Sequence, residues 1–419
     1  MVEFKCTRAL LAVVEAFREA FSQRSWPYFL SVVLPWLLHQ GQRTVRRLLV
    51  GAGFKRHETG FYRFFSQFRF RRHVFFRLLF EQVVKVFKLP KIVIAVDDTL
   101  CRKWGKKIFG TASFFDHTSR PRPGYIWGHN WVVLAIVVKL FGVYVSLPFW
   151  VSLYRPRKIC GKGEFRTRLE IVAEALSCAR SWTSLPIQVL ADGAYNNRSL
   201  LVPLARLGLP LVSRLRSDAV LRADPPPRRR GTRGRPPRFG PPLPKLSALA
   251  RSRKGWKTVQ VEIYRKAVRL QVKSFDAWWP KSGQRIRVVI TKDPRVPRRI
   301  SYLSSTDLAM TPMEIIESFS QRWSIEQMFA DAKLELGLDT AEVRTPKSVL
   351  RHAALAFGFI TIVRLWSLRR FARRKEMPKS FKSQLGVLRE DTIIKTIFSS
   401  IPRSTRSGRK AQGLAKVLQ

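Results

Sequence analysis

Residues 92–99 read IVIAVDDT, a run of five apolar residues followed by two acids and a threonine. A stretch that is apolar at every position is typical of a central strand buried on both faces of its sheet. We therefore predict a strand over residues 92–96 that ends at Asp97, Asp98 and Thr99. Because Asp is rarely placed against a core unless it is paired, both acids are candidates for a functional site.

Four further elements follow in order, namely strands over residues 131–138 and 143–151, a helix over residues 164–182 and a strand over residues 187–191. Each is inferred from apolar residues at strand or helix spacing, and the last strand ends at Asp192. The order strand, strand, strand, helix, strand resembles that of an RNase H-like α/β core, in which the first and fourth strands lie side by side. We therefore expect Asp97 and Asp192 to be neighbours.

A further acid lies in a helical segment in the last third of the chain. Phe319, Arg322, Glu326 and Lys333 stand in one register, at offsets of 3, 7 and 14 from the first. At about 100° per residue these positions share an arc roughly 60° wide, so one acid and two cations face the same direction. Taken alone, this pattern would indicate a solvated face with an Arg322–Glu326 pair.

Together with the strand acids, the helix suggests a metal site. Hydrolysis of a phosphodiester by two Mg²⁺ ions needs several carboxylates around a metal pair about 4 Å apart. Asp97, Asp192 and Glu326 meet this requirement, and we predict that they are the metal-binding catalytic residues. Arg322 and Lys333 would then hold the phosphate.

The first of these acids is ambiguous. Neighbouring residues of a strand point to opposite faces, so only one of Asp97 and Asp98 can face the metal ions directly. We favour Asp97, because it continues the apolar strand most directly. Asp98 stays open as the alternative.

The charge balance points to a polyanionic partner. The chain of 419 residues has 78 Lys and Arg against 28 Asp and Glu, a net charge of +50. The basic residues run along the whole chain and form no single amphipathic helix, which favours nucleic acid over an anionic membrane. The N-terminus lacks the pattern of a secretion signal, so we expect a cytoplasmic protein.

The signature spacing is Phe319-x2-Arg322-x3-Glu326-x6-Lys333, and residues 95–99 (AVDDT) and 191–195 (ADGAY) surround the other two acids. Over roughly residues 40–370 this arrangement resembles the insertion-sequence DDE transposases, whose third acid lies in a Tyr-x2-Arg-x3-Glu-x6-Lys signature. Phe319 departs from that pattern, since it keeps the aromatic ring but has no hydroxyl group for a phosphate.

The resemblance implies an RNase H-like fold with a β-rich insertion between the second Asp and the Glu, and two Mg²⁺ ions per site, for which Mn²⁺ should substitute. It implies cut-and-paste cleavage and strand transfer of double-stranded DNA at terminal inverted repeats by a homodimer. It also implies phosphate contacts for Arg322 and Lys333 and a DNA-facing position for Phe319. Trp323, on the edge of the same arc, is a further candidate for a DNA backbone contact.

The predicted organisation is an α/β core with helical regions at both ends. It comprises a helical DNA-binding region (1–88), a first part of the core (89–216), a basic linker and β-rich insertion (217–305), a second part of the core with the signature helix (306–345), and a basic helical C-terminal region (346–419). A Thr-x-x-Glu capping box at Thr311 predicts the start of a helix that continues to about residue 336. Residues 44–70 fit a helix-turn-helix or a packed helical hairpin equally well.

Two other functions stay open at this point. A transposon-derived protein could bind DNA without cutting it, and an RNase H-like nuclease could cut without strand transfer. In the insertion, Trp256, Trp278 and Trp279 could each receive a flipped base, although packing in the core explains each of them more simply.

Overall fold

The computed structural model describes residues 8–41, 44, 46–47, 58–116, 124–227, 234–264, 266–371 and 378–400, with the backbone alone for residues 297–298 and 393–400. The helices are α1 (Arg8–Val14), α2 (Trp26–Leu38), α3 (Glu58–Ser66), α4 (Arg72–Phe87), α5 (Arg168–Ser181), α6 (Arg198–Arg206), α7 (Leu246–Arg251), α8 (Pro312–Gln321), α9 (Ser324–Leu334), α10 (Pro346–Phe371) and α11 (Phe381–Ser400). The strands are β1 (Ile92–Arg102), β2 (Ala112–Asp116), β3 (Gly124–Leu140), β4 (Val143–Tyr154), β5 (Ile187–Ala191), β6 (Leu211–Arg214), β7 (Lys257–Ile263), β8 (Lys266–Trp279), β9 (Gln284–Asp293) and β10 (Val296–Ser305).

All of these strands belong to one mixed sheet. β1 pairs antiparallel with β3, which pairs antiparallel with β4, whereas β1, β5 and β6 run parallel in that order. β10 then joins β6 and is followed by β9, β8 and β7 in an antiparallel meander. The predicted β-rich insertion therefore extends the central sheet, and its strand β10 was not anticipated from the sequence.

Strand β1 is longer than predicted, and the expectation that it ends at Asp97 was wrong. Its parallel pairing with β5 stops at Val96 and Ala191, whereas its antiparallel pairing with β3 continues through Asp97 and Asp98 to Arg102. One edge of β1 therefore loses its partner where the acids begin. This opens the sheet locally beside Asp97.

The helix that begins at the capping box of Thr311 and Glu314 is not continuous, contrary to the prediction. The capping box is formed as expected, but α8 ends at Gln321 and α9 starts at Ser324. Between them the backbone N–H groups bond three residues back, as in a 3₁₀ turn, and the Ser324 hydroxyl donates to the Gln321 carbonyl at 2.8 Å. Such side-chain bonds to the backbone compete with regular helical bonding.

Helix α10 forms the centre of the helical layer. It packs on β4 and also contacts α1, α3 and α4, so the N-terminal helices share one hydrophobic core with the sheet. By length and composition α10 could span a membrane, but 94% of its most apolar window is buried inside the protein, as expected of a core helix. The residues 131–154, which are also long and apolar, form strands β3 and β4 as predicted.

The helix-turn-helix hypothesis for residues 44–70 cannot be compared with the fold over its central part. Residues 48–57, which include the proposed break, lie outside the described residues. The second half of that segment forms α3, whose Phe61, Phe64 and Phe65 are buried. These three phenylalanines therefore serve the packing of the helical layer, whereas Tyr62 of the same helix is 48% exposed.

Candidate active site

The pairing of β1 with β5 brings the first two acids together. Val96 and Ala191 are the last paired residues of the two parallel strands, and Asp97 and Asp192 are the residues that follow them. Because neighbouring strands lie about 4.8 Å apart, the two acids leave the sheet side by side. Here the expectation from the strand order was right.

The third acid, Glu326, is linked to Asp97 by the guanidinium group of Arg322. Arg322 Nη1 donates to Asp97 Oδ2 at 2.7 Å, and Arg322 Nη2 donates to Glu326 Oε1 at 2.8 Å. The Arg322 side chain is largely buried, while the Glu326 carboxylate is partly open to solvent. A hydrogen bond of 2.7 Å between the Ser324 and Ser146 hydroxyls fixes the start of α9 against β4.

The electrostatic balance of this cluster favours the uptake of positive charge. Burial raises the pKa of Asp97 to about 7, although Arg322 and the hydrogen bond from the Asp98 N–H lower it. The negative charges of Asp98 and Asp192 add to the upward shift. The Arg322 guanidinium therefore only partly offsets the effect of burial and of the neighbouring acids on the pKa of Asp97, and a further cation beside Asp97 would favour its ionised form.

Asp98 points away from this cluster and is held by three donors. Its Oδ1 accepts from the Tyr195 hydroxyl at 2.7 Å, and its Oδ2 accepts from Asn130 Nδ2 and Arg168 Nη1, each at 2.9 Å. These contacts satisfy both oxygens of the carboxylate. Asp97, and not Asp98, is thus the acid that lies beside Arg322 and Glu326.

The remaining residues of the signature are distributed along this edge of the sheet. The Phe319 ring lies between two guanidinium groups, those of Arg214 at 5.9 Å and Arg322 at 5.5 Å from its centroid. Lys333 is about 10 Å further along α9 than Glu326, beside the buried Cys101 thiol. About two helical turns therefore separate the backbone of Lys333 from that of Glu326 along α9.

Trp323 lies at the turn between α8 and α9, with 45% of its surface exposed. Its indole ring makes an edge contact with Tyr264 of the turn between β7 and β8, with ring centroids 6.4 Å apart. A large, half-exposed aromatic ring at this turn remains accessible to an external partner.

The tryptophans of the insertion have structural partners. Trp279 is buried in the core, and the Trp278 indole donates to Asp224 at 2.9 Å. Lys273 lies over the Trp256 ring at 4.7 Å. The simpler interpretation, in which these residues pack within the protein, agrees with these contacts.

Sequence reasoning missed the residues that surround Asp98 and Phe319. Tyr195 stands in the quoted ADGAY stretch, so a signal for it was present. The sequence held no signal for Arg168, Asn130 and Arg214. Their contacts depend on how α5, β3 and β6 are placed around β1. These residues become visible only when the chain is folded.

The acids do not form a preassembled metal site. Among the residues that the structure describes, no three His, Cys, Asp or Glu side chains make a group able to hold a metal ion. Arg322 instead lies between Asp97 and Glu326 and neutralises part of their charge. The arrangement is therefore a carboxylate cluster closed by an arginine.

Comparison with known proteins identifies the family of the chain. A family model described as DDE superfamily endonuclease matches residues 16–274, which is more than half of the chain and includes Asp97 and Asp192. No curated protein matches the chain. A nuclease of this kind acts on DNA, and the mixed α/β sheet with helices at both ends is consistent with its fold. The chain belongs to the DDE superfamily of endonucleases.

Proposed function

We propose that this endonuclease is a cut-and-paste DNA transposase of an insertion sequence. In this proposal Asp97, Asp192 and Glu326 are the catalytic acids. The main support is that the Arg322 side chain forms hydrogen bonds with both Asp97 and Glu326. These contacts lie next to the end of β5, where Asp192 follows the strand. The acids are distant in the chain, so their convergence requires the complete core.

The strand arrangement supports an RNase H-like core. The order β4, β3, β1, β5, β6, in which only β3 runs antiparallel to β1 and the others run parallel to it, is the order expected for that fold. Strands β7–β10 then correspond to the β-rich insertion between the second Asp and the Glu. In this scheme residues 89–216 and 306–345 form the core.

The donor set suits magnesium. Mg²⁺ prefers oxygen ligands, and Asp97, Asp192 and Glu326 offer only carboxylate oxygens. The guanidinium held between two of them supports the view that this position stabilises a cation. Two bound Mg²⁺ ions, or Mn²⁺ in their place, would activate a water molecule or a 3′-hydroxyl and stabilise the leaving oxygen.

The protein's own groups would then position the DNA. Arg322, once released from its ion pairs, has a planar set of donors that fits a phosphate. Lys333 lies far enough from Glu326 to contact a second phosphate, and Trp323 offers an exposed ring to the backbone. Phe319 contributes no hydrogen bond, and it holds Arg322 and Arg214 in position by cation–π contacts.

The partners in this proposal are double-stranded DNA and a second copy of the chain. The net charge of +50 would release many counterions from the phosphate backbone, so the affinity for DNA should fall steeply with salt. The N-terminal region, residues 1–88, would bind the inverted repeats, and two copies of the chain would join the two ends. The protein would stay on the nucleoid without contacting a membrane.

The test uses the full-length chain and a supercoiled plasmid carrying the DNA that flanks its own gene. We expect Mg²⁺-dependent release of the element and joining of its ends to a second plasmid. Asp192→Asn should bind the same DNA and yield neither product. Cleavage without joining would replace the proposal by a nuclease without strand transfer, and DNA binding with neither product would replace it by a catalytically silent relic.

A further inference from the structure

A large cavity lies beyond the carboxylate cluster, where the end of β1 meets the N-terminal helices. Its volume is about 930 Å³, and its walls come from α2, α3, the loop after β1 and the segment 339–345. Cavities of roughly 300–1,000 Å³ are those in which proteins enclose most of a small ligand. No role in the proposed cleavage reaction requires this space.

The floor of the cavity is aromatic and rigid. The Trp36 ring lies against the His352 ring with centroids 4.7 Å apart, and Phe65 packs on Trp36 at 6.1 Å. Trp36 is also fixed by a hydrogen bond of 3.0 Å from its indole N–H to the Leu336 carbonyl. All three rings are buried, so the floor is preformed.

The rim carries exposed aromatic rings next to arginines. Trp104 is 85% exposed and Tyr62 is 48% exposed, which is unusual for side chains of this size. The Arg102 guanidinium lies over the Trp104 ring at 5.6 Å from its centroid, and Arg344 lines the same rim. This combination of flat rings and cations is how proteins bind unpaired nucleotides, whose bases stack and whose phosphates attract arginine.

The walls are held in place by the neighbouring backbone. Lys103 is buried, and its ammonium donates to the carbonyls of Leu338 at 3.0 Å and Asp339 at 2.8 Å. The Trp127 indole donates to the Gly105 carbonyl at 3.4 Å, which braces the loop that bears Trp104. The exposed ring is therefore carried by an anchored loop, so little order is lost when a base stacks on it.

We propose that this cavity binds a short single-stranded stretch of DNA, with bases stacked on Trp104 and Tyr62 and phosphates held by Arg102 and Arg344. The inference rests on the proposed function only in taking DNA as the substrate. Lys103 stands six residues after Asp97 on the path of β1. At about 3.3 Å per residue the chain covers roughly 20 Å between Asp97 and Lys103, so the cavity lies on the same side of the molecule as the end of β1 and outside the carboxylate cluster.

The charge of the rim selects this occupant over an acidic peptide or a free apolar ligand. Among the charged side chains that line the cavity, four are basic and two are acidic, namely Arg46, Arg102, Lys103 and Arg344 against Asp339 and Glu342. The aromatic rings provide stacking surfaces that tolerate any base sequence. Single-stranded DNA combines the two features, a repeated negative charge and a repeated flat ring.

The test compares a blunt duplex of 20 base pairs, chosen for the experiment, with the same duplex carrying a four-nucleotide single-stranded tail on the 5′ or 3′ end. The tail contains 2-aminopurine, whose fluorescence falls when it stacks on an aromatic ring. With the full-length chain we expect roughly 10-fold tighter binding of a tailed duplex of one polarity, together with quenching of the fluorophore. Trp104→Ala should bind that tailed duplex about as weakly as the blunt one.

Tyr125→Ala is the matched control, because Tyr125 is another exposed aromatic residue and does not line the cavity. It should keep both the preference for the tail and the quenching. The inference is overturned if the unmodified protein binds blunt and tailed duplexes equally, or if Trp104→Ala keeps the preference. Failure to bind any of these DNAs would overturn the proposed function as well, whereas an equal affinity for all of them would leave that function standing.

Discussion

Arg322 donates a hydrogen bond of 2.7 Å to Asp97, a residue 225 positions earlier in the chain. The same guanidinium also pairs with Glu326, at 2.8 Å, so one buried cation holds the middle of β1 and the first turn of α9 together. The pair of contacts closes the carboxylate cluster. It also sets up a competition, because a divalent cation would need the same oxygens.

This competition predicts that Arg322→Ala binds divalent cations more tightly while cutting DNA less well. Removal of a positive charge within a few ångströms of the site should raise the affinity for Mn²⁺ by roughly 10-fold, measured by calorimetric titration. Arg168→Ala is the matched control, since it removes the same charge from the other face of β1, where Arg168 pairs with Asp98. An equal effect of both substitutions, or no gain for Arg322→Ala, would contradict the competition.

The two adjacent acids of β1 should differ in what they support. Asp97→Ala should abolish cleavage, since it removes a ligand of the cluster. Asp98→Ala should instead lower the free energy of unfolding by roughly 2 kcal/mol, because the buried Tyr195 hydroxyl and Asn130 amide lose their acceptor. Urea denaturation measures the loss of stability, and plasmid cleavage well below the melting temperature measures the loss of activity. Complete loss of cleavage in a folded Asp98→Ala protein would show that Asp98, and not Asp97, is the catalytic acid.

The parts of this fold that depend on local signals were predictable from the sequence. The strand Ile187–Ala191 was predicted at its observed ends because its apolar run is bounded by a proline and an acid. The capping box of Thr311 and Glu314 was also predicted, since both of its hydrogen bonds lie within one turn.

The parts that depend on distant partners were not predictable. Strand β1 continues past Asp97 only because β3 remains beside it. The break before Ser324 and the ion pairs of Arg322 depend on contacts with β4 and β1. Helical spacing predicted one continuous helix for the whole signature, whereas Phe319 lies on α8 and Glu326 and Lys333 lie on α9.

The packing of the N-terminal helices on α10 predicts opposite effects for two Gly-to-Ala substitutions. A Cβ at Gly358 would lie 2.6 Å from the ring of Phe75, which is fully buried and cannot move away easily. Gly358→Ala should therefore lower the stability by roughly 1–3 kcal/mol. Gly386→Ala in α11 meets nothing within 4 Å and should raise stability by about 0.5–1 kcal/mol through helix propensity. Thermal melts of both variants test this, and a stabilising Gly358→Ala would contradict the packing.

A buried histidine in β3 predicts a loss of stability in mild acid. Burial lowers the pKa of His129 to about 4, and its Nε2 bonds to the Phe109 carbonyl at 2.9 Å. The folded state thus favours neutral imidazole, while the unfolded chain takes up a proton near pH 6.5. The stabilising contribution is complete above pH 6.5 and is lost as the pH falls toward 4, by roughly 3 kcal/mol in total.

The measurement is the free energy of unfolding of the wild type and of His129→Gln between pH 4 and pH 8. Gln can keep the hydrogen bond to Phe109 but does not titrate. The difference between the two proteins should change with pH in the direction given above, and two parallel curves would show that His129 is not the group responsible.

Glu326 is the third acid of the proposed active site, and one measurement tests its role in cleavage directly. Glu326→Gln keeps the size of the side chain and can still accept a hydrogen bond from Arg322, so the fold should be unchanged. DNA binding and Mg²⁺-dependent cleavage are measured on the same plasmid for the wild type and the variant. We predict unchanged binding and a loss of cleavage of at least roughly 100-fold, because the site loses one metal-binding carboxylate. Cleavage by Glu326→Gln at the wild-type rate would contradict the account.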